Sequence, residues 1–257
     1  MELGLDQLST WVLGFLWPFV RIAAMFSAAP LISARTLPMR VRLVLAVTVT
    51  WVVAPLAGPV PQLDPLSPAG VLIVFTQVLI GIAMGLTLQV AFAVLTVGGQ
   101  IVGASMGLGF ASVVDPQNGI QVPVISQIYF LLGALMFLTL DGHLIIVEMV
   151  ARSFVTLPLD TRGIAPDLLL GVVLWSGLMF SEGLRLALPV VLVTLLINLA
   201  LGVATRTAPQ FNVFALGFSI TLLLGLSTML LTLDDLGPLL KDVLGRAFEM
   251  VGALVAA

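Results

Sequence analysis

The chain has 257 residues, of which 60% are hydrophobic and 9% charged, and its formal net charge is −3 at pH 7. A soluble domain carries roughly 25% charged residues, so a soluble globular class is excluded, and ten basic against thirteen acidic residues offer nothing to hold nucleic acid. The absence of cysteine removes disulfides, thiolate metal sites and cysteine nucleophiles. The uncharged run 65–114 alone exceeds two membrane spans of about 20 residues. The roughly 10-residue alternation of a membrane β-barrel is missing. The expected fold class is therefore all-α, a polytopic membrane protein. The first residues, MELGLDQLSTWVLGFLW, show no basic region followed by a cleavage site, so they are not read as a removable signal.

The first apolar segment covers residues 8–32. Trp11 and Trp17 suit an interfacial depth, Pro18 allows a kink, and Arg21 is a charge inside an apolar run. Such an arginine pairs within a bundle, faces water or snorkels to an interface. Residues 30–42, PLISARTLPMRVR, hold Arg35, Arg40 and Arg42, the densest basic cluster of the chain. The positive-inside rule puts this turn in the cytoplasm and the N-terminus outside; the arginines either set orientation only or dock an acidic surface. The second segment, 43–57, is short for a full span and ends at Gly58-Pro59-Val60-Pro61. The third begins near Pro68 and stays apolar through Val97, with Gly81 and Gly85 at small-residue spacing. Some 35 helical residues would reach about 50 Å, so this helix must tilt, bend or project beyond the bilayer.

Residues 98–127, GGQIVGASMGLGFASVVDPQNGIQVPVISQ, organise the rest. Gly99, Gly103 and Gly107 recur every four residues and would give a helix a smooth stripe for close packing. Gly109, Asp115-Pro116, Asn118-Gly119 and Pro123 then rule out one uninterrupted helix. Irregular backbone between spans is tolerated only where protein buries it or where it lines a wet cavity. A pore element, a constriction or a binding loop is expected here.

The fourth segment, 122–150, carries Asp141-Gly142-His143 and Glu148. If the helix survives Gly142, the i, i+7 spacing puts Asp141 and Glu148 on one face, and with His143 they would suit a proton relay. The alternative is a helix end, with Glu148 pairing Arg152 at i, i+4. One histidine and two carboxylates lack a full ligand set, so no metal and no cofactor are expected. The fifth segment, 168–188, holds Glu182 and Arg185 at i, i+3, either a self-neutralising pair or a gating or partner contact. Pro189 kinks or breaks the chain before the sixth segment, 186–205, whose one strong polar side chain is Asn198. A turn at 201–214 contains Gly202, Arg206 and Pro209, and the seventh segment runs to about 233. Asp234 or Asp235 caps an amphipathic tail helix, 238–255, whose mixed charges fit packing on a protein partner. No repeat of fixed period is evident. There is no phosphate loop, HExxH or GxSxG motif, so no enzyme activity is expected.

Three blocks stand out: Pro30-x-x-Ser33-x-Arg35-x-x-Pro38-x-x-Val41-Arg42; Met106-Gly-Leu-Gly-Phe-Ala111 with Asp115-Pro116; and Arg206-x-Ala-Pro-Gln-x-Asn-Val-Phe214. With Asp141-Gly142-His143, in this order and over nearly the whole chain, they resemble the FliR family. This is the flagellar member of the FliR/SpaR/YscT group of type III secretion export-gate proteins. Phe218-Ser219 departs from a Phe-Pro seen in relatives and bears on local geometry only.

The resemblance implies a single export-gate membrane domain over 1–257, built of long kinked helical hairpins. One such subunit assembles with several FliP-like and FliQ-like subunits, near FlhB-like and FlhA-like export proteins and the basal-body ring. It implies an inner-membrane, multi-pass protein of the flagellar basal body, displaced toward the periplasm, which helps form and plug a channel for unfolded flagellar proteins. The implied plug positions are Met106, Gly107, Leu108, Gly109, Phe110, Ala111, Asp115, Pro116 and Gly119, with Gly99 and Gly103 as packing stripe. Arg35, Arg42, Asp141, His143, Glu182, Arg185, Arg206, Gln210 and Asn212 are expected to make structural or subunit contacts. The competing reading is a proton-coupled secondary transporter using Asp141, His143, Glu148 or Glu182.

Overall fold

A computed structural model describes residues 5–33, 37–59, 61, 63–108, 124–159, 166–207 and 213–256. Among these residues there are helices and turns but no strand. In chain order the helices are α1 (Leu5–Ala28), α2 (Met39–Val53), α3 (Pro68–Ser105), α4 (Val124–Thr139), α5 (Gly142–Thr156), α6 (Pro166–Trp175), α7 (Leu178–Thr207), α8 (Val213–Leu231) and α9 (Leu233–Ala256). Four of the described helical stretches are long and apolar enough to cross a membrane, or up to six if each of two bent helix pairs counts as one span.

Local chemistry sets several of these boundaries. α3 starts where Ser67 Oγ accepts the Gly70 N–H at 3.1 Å, with Pro68 in the first helical position. Both satisfy or remove donors that a helix start leaves orphaned. α3 then runs 38 residues, about 57 Å at 1.5 Å per residue, longer than the roughly 30 Å hydrocarbon layer.

The chain groups into two compact units, Met1–Val90 with Phe137–Ser176 and Leu244–Ala257, and Ala91–Met136 with Gly177–Val243. In the first unit α1 crosses the first half of α3 at glycine. A methyl group on Gly81 would lie 2.3 Å from the Arg21 carbonyl oxygen, and one on Gly85 would lie 2.7 Å from Ala28 Cβ. Backbones approach this closely only where side chains are missing. Trp17, Ile22, Met25, Ile80 and Met84 fill this core. In the second unit, the other half of α3 meets α7 at Gly98 and Gly183 and meets α4 at Gly99. The rings of Phe92 and Phe130 lie 5.6 Å apart.

Several expectations are corrected. Trp17 is fully buried rather than interfacial, whereas Trp11 is exposed. α2 begins at Met39, directly after Pro38, and with the following turn supplies an 18-residue candidate span; it is not too short. The fourth segment does not survive as one helix. It breaks between α4 and α5, where Asp141 adopts φ +54. The fifth and sixth segments are divided at Ser176-Gly177, not at Pro189, which sits inside α7. A proline costs one backbone hydrogen bond, and packed or membrane helices tolerate that. The tail helix starts earlier, at Leu233, and buries Leu240, Val243, Leu244, Ala247 and Val251 within this chain. Its apolar face is therefore occupied without a protein partner.

Candidate gate element and its buried support

The glycine stripe ends in a built anchor. Gly99 sits against α4 so tightly that a Cβ there would lie 2.5 Å from Ser126 Cα. Ser126 is buried and its hydroxyl donates to the Thr96 carbonyl at 3.0 Å, tying the start of α4 to α3. Gly103 is buried one turn further on. Met106 is 1% exposed, and a Cβ on Gly225 would lie 2.8 Å from its Cε, so Met106 packs closely on α8. Its side chain serves the core of this unit.

The helix stops at Ser105 because the backbone turns. Gly107 takes φ +82, open to glycine at no steric cost. Leu108 N–H donates to the Gly103 carbonyl at 2.9 Å, and Gly107 N–H to Ala104 at 3.0 Å. These bonds satisfy carbonyls that the end of α3 would otherwise leave free. Gly107 and Leu108 are half-buried. Gly109, Phe110, Ala111, Asp115, Pro116 and Gly119 lie outside the described residues, as do Arg35, Gln210 and Asn212. A long, tightly gripped helix thus delivers the chain to position 108, and Val124 takes it up again.

Arg21 is the most unusual group of the first unit. It is fully buried. Its Nε donates to Gln77 Oε1 at 2.7 Å, Nη1 to the Ser153 carbonyl at 2.7 Å and to Ser153 Oγ at 2.9 Å, and Nη2 to the Leu157 carbonyl at 2.7 Å. The guanidinium also lies 4.3 Å from the Phe154 ring centroid. No carboxylate touches it among the described residues. Ser153 and Leu157 are at the end of α5, where carbonyls carry the helix's negative end. The planar fork of donors clamps α1 and α3 to that end. Trp17 Nε1 and Gln77 Nε2 are buried beside this region with no hydrogen-bond partner. Neither snorkelling nor water explains Arg21; it pairs inside the bundle, with neutral acceptors. The sequence signal was the lone charge, while Gln77 and Ser153 carried none.

The other polar candidates take structural places. Arg42 is half-buried and donates to the Ser33 carbonyl at 3.0 Å, closing the turn between α1 and α2, where Leu31 has φ +67. Asp141 and His143 are exposed at the bend into α5. Gly142 there faces the Phe137 ring, whose Cε2 a methyl group would approach to 2.2 Å. Glu148 pairs with Arg152 at 2.7 Å on an exposed face. Glu148 is paired with Arg152 inside α5, while Asp141 precedes the helix at φ +54 with its backbone out of helical geometry, so the relay reading has no support in this geometry. Glu182 is buried and lies 3.5 Å from exposed Arg185, a long ion pair. Arg206 is exposed in the last turn of α7.

These features define a class first: an all-helical, multi-pass membrane protein whose tightest crossings deliver a glycine-rich connection. The chain matches the family model described as bacterial export proteins, family 1, over residues 12–247. It is 40% identical over 245 residues to Flagellar biosynthetic protein FliR of Pectobacterium carotovorum subsp. carotovorum, covering 95% of this chain and 94% of that protein. It is 35% identical over 256 residues to Flagellar biosynthetic protein FliR of Escherichia coli (strain K12), covering 100% of this chain and 98% of that protein. To Flagellar biosynthetic protein FliR of Bacillus subtilis (strain 168) it is 26% identical over 245 residues, 94% of each chain. The chain belongs to this family of bacterial export proteins, the FliR family.

Proposed function

We propose that this chain is a non-enzymatic subunit of the flagellar protein export gate, and that the segment following Leu108 acts as its plug. The match over residues 12–247, with relatives named as flagellar biosynthetic proteins, carries the export assignment. The anchor at Gly99, Ser126 and Met106 supports the plug role. An obstruction must be held firmly at its base, and there Gly107, at φ +82, ends the helical geometry of α3. The proposed partners are FliP-like and FliQ-like subunits, with one copy of this chain in the gate, and FlhA-like and FlhB-like proteins nearby. The proposed site of action is the inner membrane within the basal body, with unfolded flagellar proteins as cargo.

Deletion of residues 109–119 tests the plug. The variant is expected to enter the complex at the parent level and to collapse membrane potential through ion leak. A variant that assembles normally and keeps the membrane sealed would refute the plug role.

A further inference from the structure

The last turn of α3 hangs on one side chain. Between positions 103 and 108, Gly103 and Gly107 carry no side chain, Ala104 is exposed, and Ser105 and Leu108 are half-buried. Met106 alone in this stretch buries a side chain, at 1% exposed. Gly225 of α8 receives it: a Cβ built there would lie 2.8 Å from Met106 Cε, 2.8 Å from Cγ and 3.2 Å from Sδ. A larger residue at 225 would push the methionine out of this seat. The N–H groups of Met106, Gly107 and Leu108 donate to the Val102, Ala104 and Gly103 carbonyls at 3.1, 3.0 and 2.9 Å, all back into α3, so none of them ties the turn to α8.

Two turns earlier the grip is broad. A methyl group on Gly98 would lie 3.0 Å from the Gly183 carbonyl oxygen of α7, and one on Gly99 would lie 2.5 Å from Ser126 Cα of α4. At Met106 the grip has narrowed to one contact, directly before the φ +82 of Gly107. Local opening is drawn from places with few buried contacts, and leaving this seat gives up the burial of a single side chain. Methionine suits such a joint, because it is unbranched, with three rotatable bonds and a thioether that adapts to irregular surroundings. Met106 also stands in the wall of a groove of about 550 Å³ that reaches Gly202, where a Cβ would meet nothing within 4 Å. The side chain has room beside its seat.

We propose that the Met106–Gly225 seat is a latch. Seated, Met106 holds the end of α3 and with it the base of the obstruction; unseated, it frees that last turn to move when the gate opens. The inference rests on the plug reading above and names the contact that controls it.

The test is a reversible lock. Met106 Cγ lies 2.8 Å from the Cβ built on Gly225. It is one carbon–carbon bond from its own Cβ, so the two Cβ atoms are at most about 4.3 Å apart, within the roughly 3.5–4.5 Å that a disulfide spans. The chain has no cysteine, so Met106→Cys/Gly225→Cys carries one possible intrachain pair, and the parent chain controls for the oxidant. The doubly substituted chain is expressed in flagellated cells, in its full complex, and oxidised with copper phenanthroline. The intrachain disulfide is expected to form, seen as a mobility shift. Export of flagellar protein is expected to fall at least tenfold and to return within twofold of its starting level on reduction. Unchanged export through the locked complex overturns the latch, and so does a pair that forms no disulfide. Met106→Ala gives a second reading, since it empties the seat without a clash. Ion leak is expected to rise several-fold at an unchanged level of the complex. A membrane as tight as the parent's overturns the latch, as does failure of this variant to enter the complex, which would make Met106 a core residue only. Deletion of residues 109–119 separates the two readings. If that deletion leaks while the locked pair exports freely, the plug reading stands and the latch alone fails. If the deletion stays sealed, the plug reading fails and takes the latch with it.

Discussion

Replacing Arg21 is the sharpest test of how the first unit holds together. Its four hydrogen bonds go to Gln77 Oε1, the Ser153 carbonyl and hydroxyl, and the Leu157 carbonyl. Truncating a hydrogen bond to a charged group costs about 1.5–3 kcal/mol, so the gross loss is about 6 kcal/mol at the low end. Two effects reduce it. Among the described residues the buried charge has no carboxylate against it, and its removal recovers several kcal/mol of desolvation. The Ser153 carbonyl keeps its bond from Leu157 N–H at 2.9 Å, and Gln77 becomes free to turn its amide toward other acceptors. A net loss of about 3–5 kcal/mol is expected for Arg21→Leu once that recovery is set against the gross loss. For a chain of this size that is roughly 6–20 °C in melting temperature, at about 2–4 °C per kcal/mol.

Arg21→Lys separates geometry from charge. An ammonium keeps the charge but reaches only one of the acceptor groups that the guanidinium fork spans. It is expected to melt at least as low as Arg21→Leu. The assay is thermal unfolding of the chain within its purified complex, followed by loss of soluble complex on heating. A lysine variant melting within about 2 °C of the parent would refute the fork argument, and a leucine variant within the same margin would refute the clamp altogether.

Gly81→Val is expected to abolish accumulation in the membrane, because its Cβ has backbone 2.3 Å away and overpacking costs about 1–3 kcal/mol even for small insertions; immunoblotting of membranes checks this. Gly245→Ala, in α9 with nothing within 4 Å of its Cβ, is expected to raise stability by about 0.5–1 kcal/mol, read as a higher melting temperature. Asp141→Gly is expected to be neutral or stabilising and Asp141→Val to lose about 1–2 kcal/mol, since only the latter suffers at φ +54; equal melting points would contradict this. His143→Gln and Glu148→Gln are expected to leave swimming speed and secretion within about twofold of the parent from pH 6 to pH 8. The exposed Glu148–Arg152 pair contributes at most about 0.5 kcal/mol. A shifted pH profile in His143→Gln would revive the proton-coupling reading.

Much of the candidate gate element was readable before any fold was known. The four-residue spacing of Gly99 and Gly103 announces close packing, and Ser126 of α4 meets Gly99, whereas Gly107, expected on the same stripe, lies past the end of α3 in a turn at φ +82. Gly81 and Gly85 announced the α1 crossing in the same way. Breaks were less legible. Asp141-Gly142 suited either proton chemistry or a helix end, and it is the end: a bend whose backbone is strained at Asp141 and crowded at Gly142. Pro189 looked like a boundary, yet α7 continues through it, because one missing hydrogen bond is small beside the packing of a 30-residue helix.

Composition and periodicity pointed to an all-helical membrane chain and to a break after its glycine stripe, and the ordered motifs carried the resemblance to its family. These follow from local rules, since hydropathy, small-residue spacing and helix breaking act over a few turns. Three-dimensional packing was needed to show that Trp17 is core, that Met106 seats on Gly225 and that the tail helix is covered by its own chain. It also showed that Arg21 finds Gln77 and Ser153, partners 56 and 132 residues away. Hydrogen bonding across such separations leaves no imprint in neighbouring residues, because the free energy of burying a charge depends on which distant acceptors the fold brings to it.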